Sequence, residues 1–585
     1  MESKTKTLML GDHAVAQGAY EAGVKVAAAY PGTPSTEITE CMATFKEVNA
    51  EWSVNEKVSM EVGIGAAMAG KRALVAMKHV GLNVAADPLF TFSYTGLNAG
   101  LVVAVADDPG MHSSQNEQDS RYYAQSAHVP MLEPADSQEA RDFTMLAYEL
   151  SEKYDTPVFL RLTTRIAHSR SFVETGERKE VELPYKQDIQ KYVMVPANAK
   201  KRHPIVEERE KKLSNDINGN LFEGKINRIE YGSNKIGIVC SGAVYQYVKE
   251  ALPDFSIFKL GMVYPIAVEK IREFASKCEK LIVVEELEPF IENTLKANGI
   301  KCSGKDLTGL QGELSVQKIR EVILGQKPLP ELAQNLPGRP PVMCAGCTHR
   351  GVFYIINKLK LNVVGDIGCY SLGCSPPLNA MHSLICMGAS ISNAHGMFQA
   401  KGKEFSKTNI AVIGDSTFIH SGITGLIDAV YNKSNITVII MDNRTTGMTG
   451  HQNHPGTGLT IKGEPTHTLD LGEISRACGV QNVSVIDPYN LAEVENAIKE
   501  SLKADSVSVI IAKRPCVLLD KSMRREAITI SDCKKCGLCL KIGCPALSKC
   551  KDNSVEVDST LCTGCMVCGQ TCKSGAICLN PDSPD

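Results

Sequence analysis

The sequence lacks an apolar run long enough to span a membrane. Its longest apolar stretches, such as Leu101 to Ala106, fall far short of the roughly 18 residues that a membrane helix needs. The opening residues, MESKTKTLML, are too short and too polar for a secretory signal. These absences predict a cytoplasmic protein without a membrane partner.

A charge imbalance is also missing. The 63 basic and 66 acidic side chains leave a formal net charge of −3. No global field therefore attracts nucleic acid or an anionic membrane, and neither is an expected partner. With 585 residues, 43% of them hydrophobic, the chain can form about three to four domains with full cores.

Cysteine, in contrast, is abundant. The chain has 21 cysteines, and ten of them fall between Cys533 and Cys578. Thiols spread through a large chain favour a reducing compartment over a disulfide scaffold. The tail contains two CxxCxxC runs, and each is followed by a more distant fourth thiol.

The tail spacing is that of a two-cluster bacterial ferredoxin, in which the fourth cysteine of each run crosses to the other cluster. The expected ligands are Cys533, Cys536, Cys539 and Cys572 for one [4Fe-4S] cluster and Cys544, Cys562, Cys565 and Cys568 for the other. Zinc is the alternative, because CxxC pairs also build tetrahedral zinc sites.

The stretch from Gly414 to Asn443 predicts a strand, a crossover helix and a parallel strand. A β-branched run ends at Gly414-Asp415-Ser416, and a second apolar run ends at Asp442-Asn443. Ligands bind beyond the carboxyl ends of such strands. A carboxylate and an amide oxygen suit Mg2+ that keeps a diphosphate as its other partner. An ordinary α/β crossover is the alternative for this stretch alone.

The same stretch resembles the thiamine diphosphate motif, written GDG followed by a distant Asn. The loop GMTGHQ that follows it resembles the loop over the diphosphate, and it makes the backbone carbonyl of Thr445 the third protein ligand to Mg2+. The residues that this resemblance assigns to the cofactor are Gly414, Asp415, Ser416, Asn443, Thr445 and Met448.

Residues 1–190 alternate helices with short apolar strands, such as LVVAVAD and PVFLRL, and predict one α/β domain. Two segments within it are distinctive. The loop AAAYPGTPSTEITE forms a turn around Thr33. The run of small residues in VNEKVSMEVGIGAAMAGK, including Gly63 and Gly65, predicts a helix that packs very closely against a neighbour.

Both segments resemble the pyrimidine-binding domain of the 2-oxoacid:ferredoxin oxidoreductases. The resemblance makes Thr33 a substrate contact and Glu56 the acid that hydrogen-bonds the aminopyrimidine ring of thiamine. Such a carboxyl shares its proton with the ring nitrogen and so promotes deprotonation of the thiazolium carbon. The alternative makes Glu56 a surface helix cap, with Glu61 as the rival carboxylate.

Further candidate substrate contacts follow the next strands. Lys78 and His79 come directly after a strand and either bind the substrate carboxylate or are structural. The polar loop DDPGMHSSQNEQDSRYYA predicts a lid or pocket wall, with Arg121 as a carboxylate clamp.

The rest of the chain completes a multidomain α/β organisation. Residues 191–234 are charged and predict a linker with a solvated amphipathic helix. Residues 235–335 resemble the transketolase C-terminal-like domain, which is largely architectural. Residues 340–520 form the expected diphosphate-binding domain, and 524–585 form a small α+β two-cluster ferredoxin domain.

A third group of thiols lies in the expected diphosphate-binding domain. The segment MCAGCTHRG resembles the Cys-x-x-Cys entry of the indolepyruvate ferredoxin oxidoreductases. Relatives with a cluster next to thiamine carry a CxxC, a Gly-Cys and a Pro-Cys, and the counterparts here are Cys344, Cys347, Cys369 and Cys516. A third [4Fe-4S] cluster is therefore expected. Cys374 is a competing ligand, and buried small hydrophobes are the alternative.

The domain order as a whole resembles the α subunits of the indolepyruvate ferredoxin oxidoreductases. This implies oxidative decarboxylation of arylpyruvates (indolepyruvate, phenylpyruvate and hydroxyphenylpyruvate) to acyl-CoA and CO2, with electrons leaving to an external ferredoxin. A smaller β subunit is the expected partner. The alternatives are another 2-oxoacid:ferredoxin oxidoreductase, a non-oxidative thiamine-dependent decarboxylase or synthase, and an electron-transfer or scaffold subunit.

Overall fold

The computed structural model describes residues 6–219, 222, 224–328, 338 and 340–580. The chain divides into two compact units, Met1–Gln334 and Asn335–Asp585. Both contain parallel sheets covered by helices, which confirms the predicted α/β class. Within the described residues, no helix has the length and apolar character needed to cross a membrane.

The strands of the first unit are short. They are β1 Lys6–Leu10, β2 Val26–Ala29, β3 Asn49–Trp52, β4 Ala73–Lys78, β5 Leu101–Asp107, β6 Met131–Leu132, β7 Val158–Thr163, β8 Arg170–Glu174, β9 Arg228–Glu230, β10 Ser233–Ser241, β11 Phe255–Leu260, β12 Met262–Tyr264 and β13 Lys280–Val284.

Helices alternate with these strands. They are α1 Gly11–Glu21, α2 Thr36–Thr44, α3 Glu56–Met68, α4 His79–Val84, α5 Ala86–Thr95, α6 Arg121–Ala127, α7 Ser137–Tyr154, α8 Thr164–His168, α9 Ile189–Tyr192, α10 Pro196–Asn218, α11 Gly242–Ala251, α12 Val268–Ser276, α13 Phe290–Ala297, α14 Lys305–Thr308 and α15 Val316–Leu324.

The main sheet of this unit has the order β12-β6-β7-β5-β4-β2-β3 and is parallel except for the β12–β6 pair. Its central strands β4 and β5 are fully buried, as expected for apolar runs covered by helices on both faces. A second sheet has the order β13-β10-β11-β9. Its strands β11 and β13 lie in the region 235–335, whereas β9 and the start of β10 lie in the predicted linker 191–234.

The predicted linker contains the long charged helix α10. Its buried positions, Val206, Arg209, Leu213 and Ile217, recur at helical spacing, which confirms the amphipathic character. Leu213 and Ile217 join the core of the first unit. The predicted domain boundaries remain predictions, and position 335 lies outside the described residues.

The second unit is built on a parallel sheet of order β14-β15-β16-β18-β17. Its strands and those of the tail are β14 Asn362–Val364, β15 Asn409–Gly414, β16 Thr437–Asp442, β17 Asn482–Ile486, β18 Ser508–Lys513, β19 Thr529–Ile530, β20 Leu547–Lys549, β21 Val555–Val557 and β22 Ile577–Cys578. Its helices are α16 Arg350–Lys358, α17 Ala389–Ser406, α18 Asp415–Thr417, α19 Ile423–Tyr431, α20 Leu471–Ala477 and α21 Leu491–Ser501.

The predicted crossover is therefore present, since β15 and β16 are parallel neighbours joined through α18 and α19. In the tail, β19 pairs with β22 and β20 pairs with β21, both antiparallel. Short 3-10 turns, Leu538–Ile542 and Gly569–Thr571, accompany them. This small antiparallel region carries the tail cysteines.

Candidate active site

The parallel order of the first sheet brings several predicted residues to one edge. Strands β5, β4, β2 and β3 are adjacent and parallel, so their carboxyl ends lie at the same edge. Thr33 follows β2, Glu56 follows β3 and Lys78 ends β4. This is the edge at which ligands of parallel α/β sheets bind.

Glu56 lies in a buried position at the first turn of α3. The Asn55 side chain caps this helix by accepting the Val58 N–H at 3.0 Å, so Glu56 is not needed as the cap. Its side chain lies over α4, because a Cβ on Gly81 would stand 2.5 Å from Glu56 Oε1. Glu56 is 5% exposed, and its reading as a surface cap is therefore wrong.

The small residues of α3 differ in how closely they pack against their neighbours. A Cβ on Gly63 would stand 2.4 Å from Val75 Cγ2, which confirms close packing there. Gly65 has nothing within 4 Å of its Cβ position, so close packing is wrong for Gly65. Glu61 is exposed and forms an ion pair with Lys57, which removes it as the rival carboxylate.

Thr33 and Lys78 meet through the loop after β5. Lys78 Nζ donates to the Ser113 carbonyl at 2.7 Å, and Ser113 Oγ donates to the Thr33 carbonyl at 3.4 Å. Burial lowers the pKa of Lys78 to about 8, against the opposing charge of Asp108. Lys78 is thus a mostly charged ammonium at neutral pH that could hold a carboxylate beside Thr33.

His79 points into the core beside Lys78. It is buried, and burial lowers its pKa, so the imidazole is neutral. Among the described residues, neither ring nitrogen has a hydrogen-bond partner. A neutral imidazole does not supply a charged contact to the substrate carboxylate, so that role is not supported for His79.

Arg121 does not fit the predicted role of carboxylate clamp. Its guanidinium is 1% exposed and donates to the Asp119 carboxylate, to Glu285 Oε2 at 2.6 Å and to the carbonyls of Glu286 and Glu288. The donors are already used within the first unit, and no surface remains for a substrate. The prediction is wrong because sequence spacing did not reveal the buried Asp119 and Glu285 partners.

The sheet of the second unit gathers three predicted residues, Asp415, Asn443 and Cys516, together with Asp366. Strands β14, β15, β16 and β18 are parallel neighbours, and Asp366, Asp415, Asn443 and Cys516 follow them in that order. Their side chains therefore share the carboxyl edge.

Asp415 is held in a fixed orientation by backbone donors. Its Oδ1 accepts the Ser416 N–H at 2.8 Å, and its Oδ2 accepts the Arg444 N–H at 2.8 Å and faces His454 Nε2 at 3.2 Å. Asn443 is also buried, and among the described residues its Oδ1 has no hydrogen-bond partner. A buried amide oxygen without a donor is a natural cation ligand.

The charges at this edge also fit a cation. Burial and the neighbouring Asp415 carboxylate raise the pKa of Asp442 to about 7. Crowded carboxyls together with an unpaired amide oxygen form a set of hard donors that suits Mg2+. Thr445 is buried beside them and donates its hydroxyl to the Gln452 carbonyl at 3.4 Å.

The remaining residues assigned to the cofactor surround Asp415. A Cβ on Gly414 would stand 2.6 Å from Tyr370 Cε1, so this position accepts only glycine. Ser416 Oγ accepts the Thr446 hydroxyl at 2.9 Å. Met448 is 50% exposed and lies on the short turn Gly447–Thr449.

The thiols of the second unit form a group next to this edge. Burial and the nearby Cys516 and Cys344 raise the pKa of Cys369 to about 11. Burial, with Cys344 and Cys369 close by, raises the pKa of Cys347 to about 12. Cys374 is exposed and contacts its neighbour Ser375, so the grouping favours Cys369 over Cys374.

This thiol group and the candidate cation site share one backbone segment. The Cys516 N–H donates to the Asn443 carbonyl at 2.9 Å. Cys369 Sγ lies 3.2 Å from where a Cβ on Gly447 would stand, and Asn443 Nδ2 lies 3.6 Å from the same point. A cluster on these thiols would therefore border the diphosphate site.

The tail thiols lie in two neighbouring groups. One cavity is lined by Cys533, Cys536, Cys539 and Cys572. In the other group, burial and the nearby Cys565, Cys544 and Cys562 raise the pKa of Cys568 to about 12. Cys539 also lies near Cys568, so the two groups are neighbours.

The Cys344–Cys347 loop contacts the tail directly. A Cβ on Gly346 would stand 2.2 Å from Thr563 Oγ1, and the Tyr489 hydroxyl donates to the Gly346 carbonyl. Arg350 bridges the two regions by donating to the carbonyls of Cys344 and Gly543. The three thiol groups are thus linked through short contacts within the second unit.

Two family models match the chain. Residues 17–217 match the thiamine diphosphate-binding domain of pyruvate flavodoxin/ferredoxin oxidoreductases, and residues 366–512 match the C-terminal domain of thiamine pyrophosphate enzymes. The indolepyruvate oxidoreductase subunit IorA of Archaeoglobus fulgidus is 40% identical over 98% of this chain and 97% of its own length. That of Pyrococcus horikoshii is 40% identical over 98% and 96%.

The chain belongs to the IorA family of indolepyruvate oxidoreductase subunits. It is accordingly an oxidoreductase subunit with thiamine diphosphate-binding domains. A more distant relative, the 2-oxoglutarate synthase subunit KorA of Methanocaldococcus jannaschii, is 27% identical over 47% of this chain and 87% of its own length.

Two histidines of this IorA-family chain were missed by sequence reasoning. His349 accepts from Asn443 Nδ2 at 3.4 Å, and burial lowers its pKa to about 4, so its ring is neutral. His454 faces Asp415. The signal for His349 was its position inside CAGCTHR, and for His454 its position in a glycine-rich loop after Asn443.

Proposed function

We propose that the chain is the thiamine-dependent α subunit of an arylpyruvate:ferredoxin oxidoreductase. The reaction converts an arylpyruvate, CoA and two oxidised ferredoxins into an aryl-acetyl-CoA, CO2, two reduced ferredoxins and one proton. Indolepyruvate, phenylpyruvate and hydroxyphenylpyruvate are the proposed substrates. The names of the relatives and the thiamine diphosphate-binding domains support this assignment.

One observation carries the redox part of the proposal. Asn443, a proposed Mg2+ ligand through its side chain, accepts the Cys516 N–H through its backbone carbonyl. An electron acceptor on Cys344, Cys347, Cys369 and Cys516 would therefore stand beside the cofactor. This arrangement favours oxidation over a non-oxidative decarboxylase, which has no use for adjacent iron.

The residues of the second unit would hold the cofactor. Asp415, Asn443 and the backbone carbonyl of Thr445 would hold Mg2+, whose charge would suit a diphosphate. Gly414, Ser416 and Met448 line that site. Bound thiamine diphosphate supplies the acidic carbon and the electron sink that decarboxylation of a 2-oxo acid requires.

Residues of the first unit would handle protons and substrate. Glu56, buried against Gly81, holds a proton at the aminopyrimidine ring. Thr33 and Lys78 bind the substrate carboxylate, and the ammonium of Lys78 supplies the charge. Arg121 has no part in this step, because its donors are engaged by Asp119 and Glu285.

The thiols would hold iron-sulfur clusters, which supply one-electron acceptors for the oxidation. Three [4Fe-4S] clusters are proposed, one beside Asn443 and two in the tail. The contacts of Gly346 with Thr563 and Tyr489 give a short path from the first cluster to the tail. Ferredoxin accepts the electrons, and a smaller β subunit completes the enzyme.

Dye reduction by the anaerobic holo-complex tests this function. Reduction of a viologen dye is expected only when an arylpyruvate and CoA are both present, with 2-oxoglutarate as the control substrate. Dye reduction without CoA, or an aldehyde as the sole product, would instead identify a non-oxidative enzyme. Faster turnover of 2-oxoglutarate than of arylpyruvates would contradict the substrate assignment.

A further inference from the structure

A cluster of three ionisable side chains in the first unit includes none of the residues assigned above. Asp12 lies in the first turn of α1, Glu37 in the first turn of α2, and His168 is the last residue of α8. One ligand atom from each lies within 4.8 Å of the other two. His168 Nε2 and Glu37 Oε1 are 3.5 Å apart.

The backbone brings these residues together. The Gly11 N–H donates to the Ser169 carbonyl at 3.1 Å, which joins the start of α1 to the end of α8. A Cβ on Gly11 would stand 2.0 Å from the Ile166 carbonyl oxygen, so glycine is required for this approach. Asp12 is therefore held beside His168 by the packing of two helices.

Asp12 is the least satisfied member of the cluster. It is 0% exposed, and among the described residues neither of its carboxylate oxygens accepts a hydrogen bond. Glu37 Oε2 likewise has no partner there. Buried carboxylates are normally paired with donors or bound to metal, so these three oxygens need a cation or a proton between them.

The donor set and its geometry suit a metal ion. Two carboxylate oxygens and one imidazole nitrogen are ligands for first-row divalent ions. Ligand atoms about 2.0–2.2 Å from one ion lie at most about 4.4 Å apart. The 3.5 Å between His168 Nε2 and Glu37 Oε1 falls within that limit. The side chains of Glu37 and His168 are 34% and 35% exposed, which leaves an entrance for the ion and for water ligands.

We propose that Asp12, Glu37 and His168 bind one divalent transition-metal ion, such as Mn2+ or Zn2+. The ion ties the first turn of α2 to α1 and α8. The loop that carries Thr33 precedes this turn directly and is fastened to it, since the Gly32 N–H donates to Thr36 Oγ1 at 3.0 Å. The ion thus supports the Thr33 loop.

Manganese binding to the full-length holoprotein tests the site. With Mg2+ and thiamine diphosphate in excess and the iron-sulfur centres kept oxidised, Mn2+ is titrated and free Mn2+ is measured by electron paramagnetic resonance. The unmodified chain is expected to bind one more Mn2+ than Asp12→Asn, or to bind it at least tenfold more tightly. Glu47→Gln, which removes an exposed carboxylate just beyond α2, is the matched control and is expected to bind like the unmodified chain.

A second readout assigns the nitrogen ligand. Pulsed resonance of the bound Mn2+ is expected to show a 14N coupling that disappears in His168→Gln, a half-buried position where the substitution leaves the core intact. Equal Mn2+ binding by the unmodified chain and Asp12→Asn, with no 14N coupling that depends on His168, would overturn the proposal. The carboxyls of Asp12 and Glu37 would then share a proton instead. Neither readout depends on enzyme activity.

Discussion

Substituting Gly81 by alanine tests the role of Glu56 without touching Glu56 itself. The added Cβ would stand 2.5 Å from Glu56 Oε1, 2.6 Å from its Cγ and 2.8 Å from its Cδ. Carbon atoms in contact rest at about 3.5–4.0 Å, so the carboxyl group must retreat by about 1 Å. Gly81 lies in α4, where alanine is otherwise favoured.

Gly81→Ala should therefore lower the reaction rate strongly while it changes the free energy of unfolding only a little. Misplacing a catalytic group by about 1 Å costs on the order of 10²-fold in rate, which corresponds to about 2.7 kcal/mol. The gain in helix propensity, about 1 kcal/mol, opposes the cost of rotating one flexible side chain. The free energy of unfolding is thus expected to change by less than about 2 kcal/mol.

The assay is arylpyruvate-dependent dye reduction, with stability followed by urea unfolding of the same preparation. Gly65→Ala is the matched control, because it adds a Cβ to the adjoining helix at a position with nothing within 4 Å. It should keep full activity. A folded Gly81→Ala protein with kcat within about twofold of the unmodified enzyme would refute the assignment of Glu56. Moving a catalytic carboxyl by about 1 Å should lower kcat by much more than twofold.

Three further predictions concern the other sites. Asp415→Asn should abolish retention of thiamine diphosphate, measured after gel filtration, while the iron content of the tail stays unchanged; loss of both would indicate misfolding. Cys516→Ser should lower the iron content from about twelve to about eight atoms per chain, whereas Cys374→Ser should leave it unchanged. The reverse pattern would make Cys374, and not Cys516, the iron ligand. Because burial lowers the pKa of Lys78 to about 8, its charge is present below that pH and is lost above it, so kcat/KM should fall as pH rises through about 8. Lys78→Arg should move this decline to higher pH, and an unshifted decline would assign it to another group.

The spacing of apolar residues was enough to predict the sheets. Runs such as LVVAVAD are buried along their whole length, and only a parallel strand covered on both faces explains them. The crossover from β15 to β16 followed from the same kind of pattern. The strand β12 pairs with β6 of the first sheet, although it lies in the region 235–335 that was assigned to the transketolase C-terminal-like domain. Periodicity could not predict this pairing. Such pairing depends on tertiary contacts that leave no local signal.

Residues at strand ends were predictable, whereas residues that meet across the fold were not. Asp415 and Asn443 were found because each follows a neighbouring parallel strand. Arg121 was misjudged because its partner Glu285 is 164 residues away along the chain. A buried arginine with acidic partners and a substrate clamp look alike in sequence, since both place a cation in a polar loop.

Asn443 would link the proposed iron and thiamine sites. Within the part of the chain that the structure describes, its side-chain oxygen has no partner, its amide nitrogen approaches His349, and its backbone carbonyl accepts the Cys516 N–H. A shift of the β16 end by a few tenths of an ångström would move a proposed Mg2+ ligand and a proposed iron ligand together. The neutral ring of His349 at the amide nitrogen and the Cys516 N–H at the backbone carbonyl are the two contacts that orient Asn443. The close coupling of the two sites therefore follows from a single residue at the end of one strand.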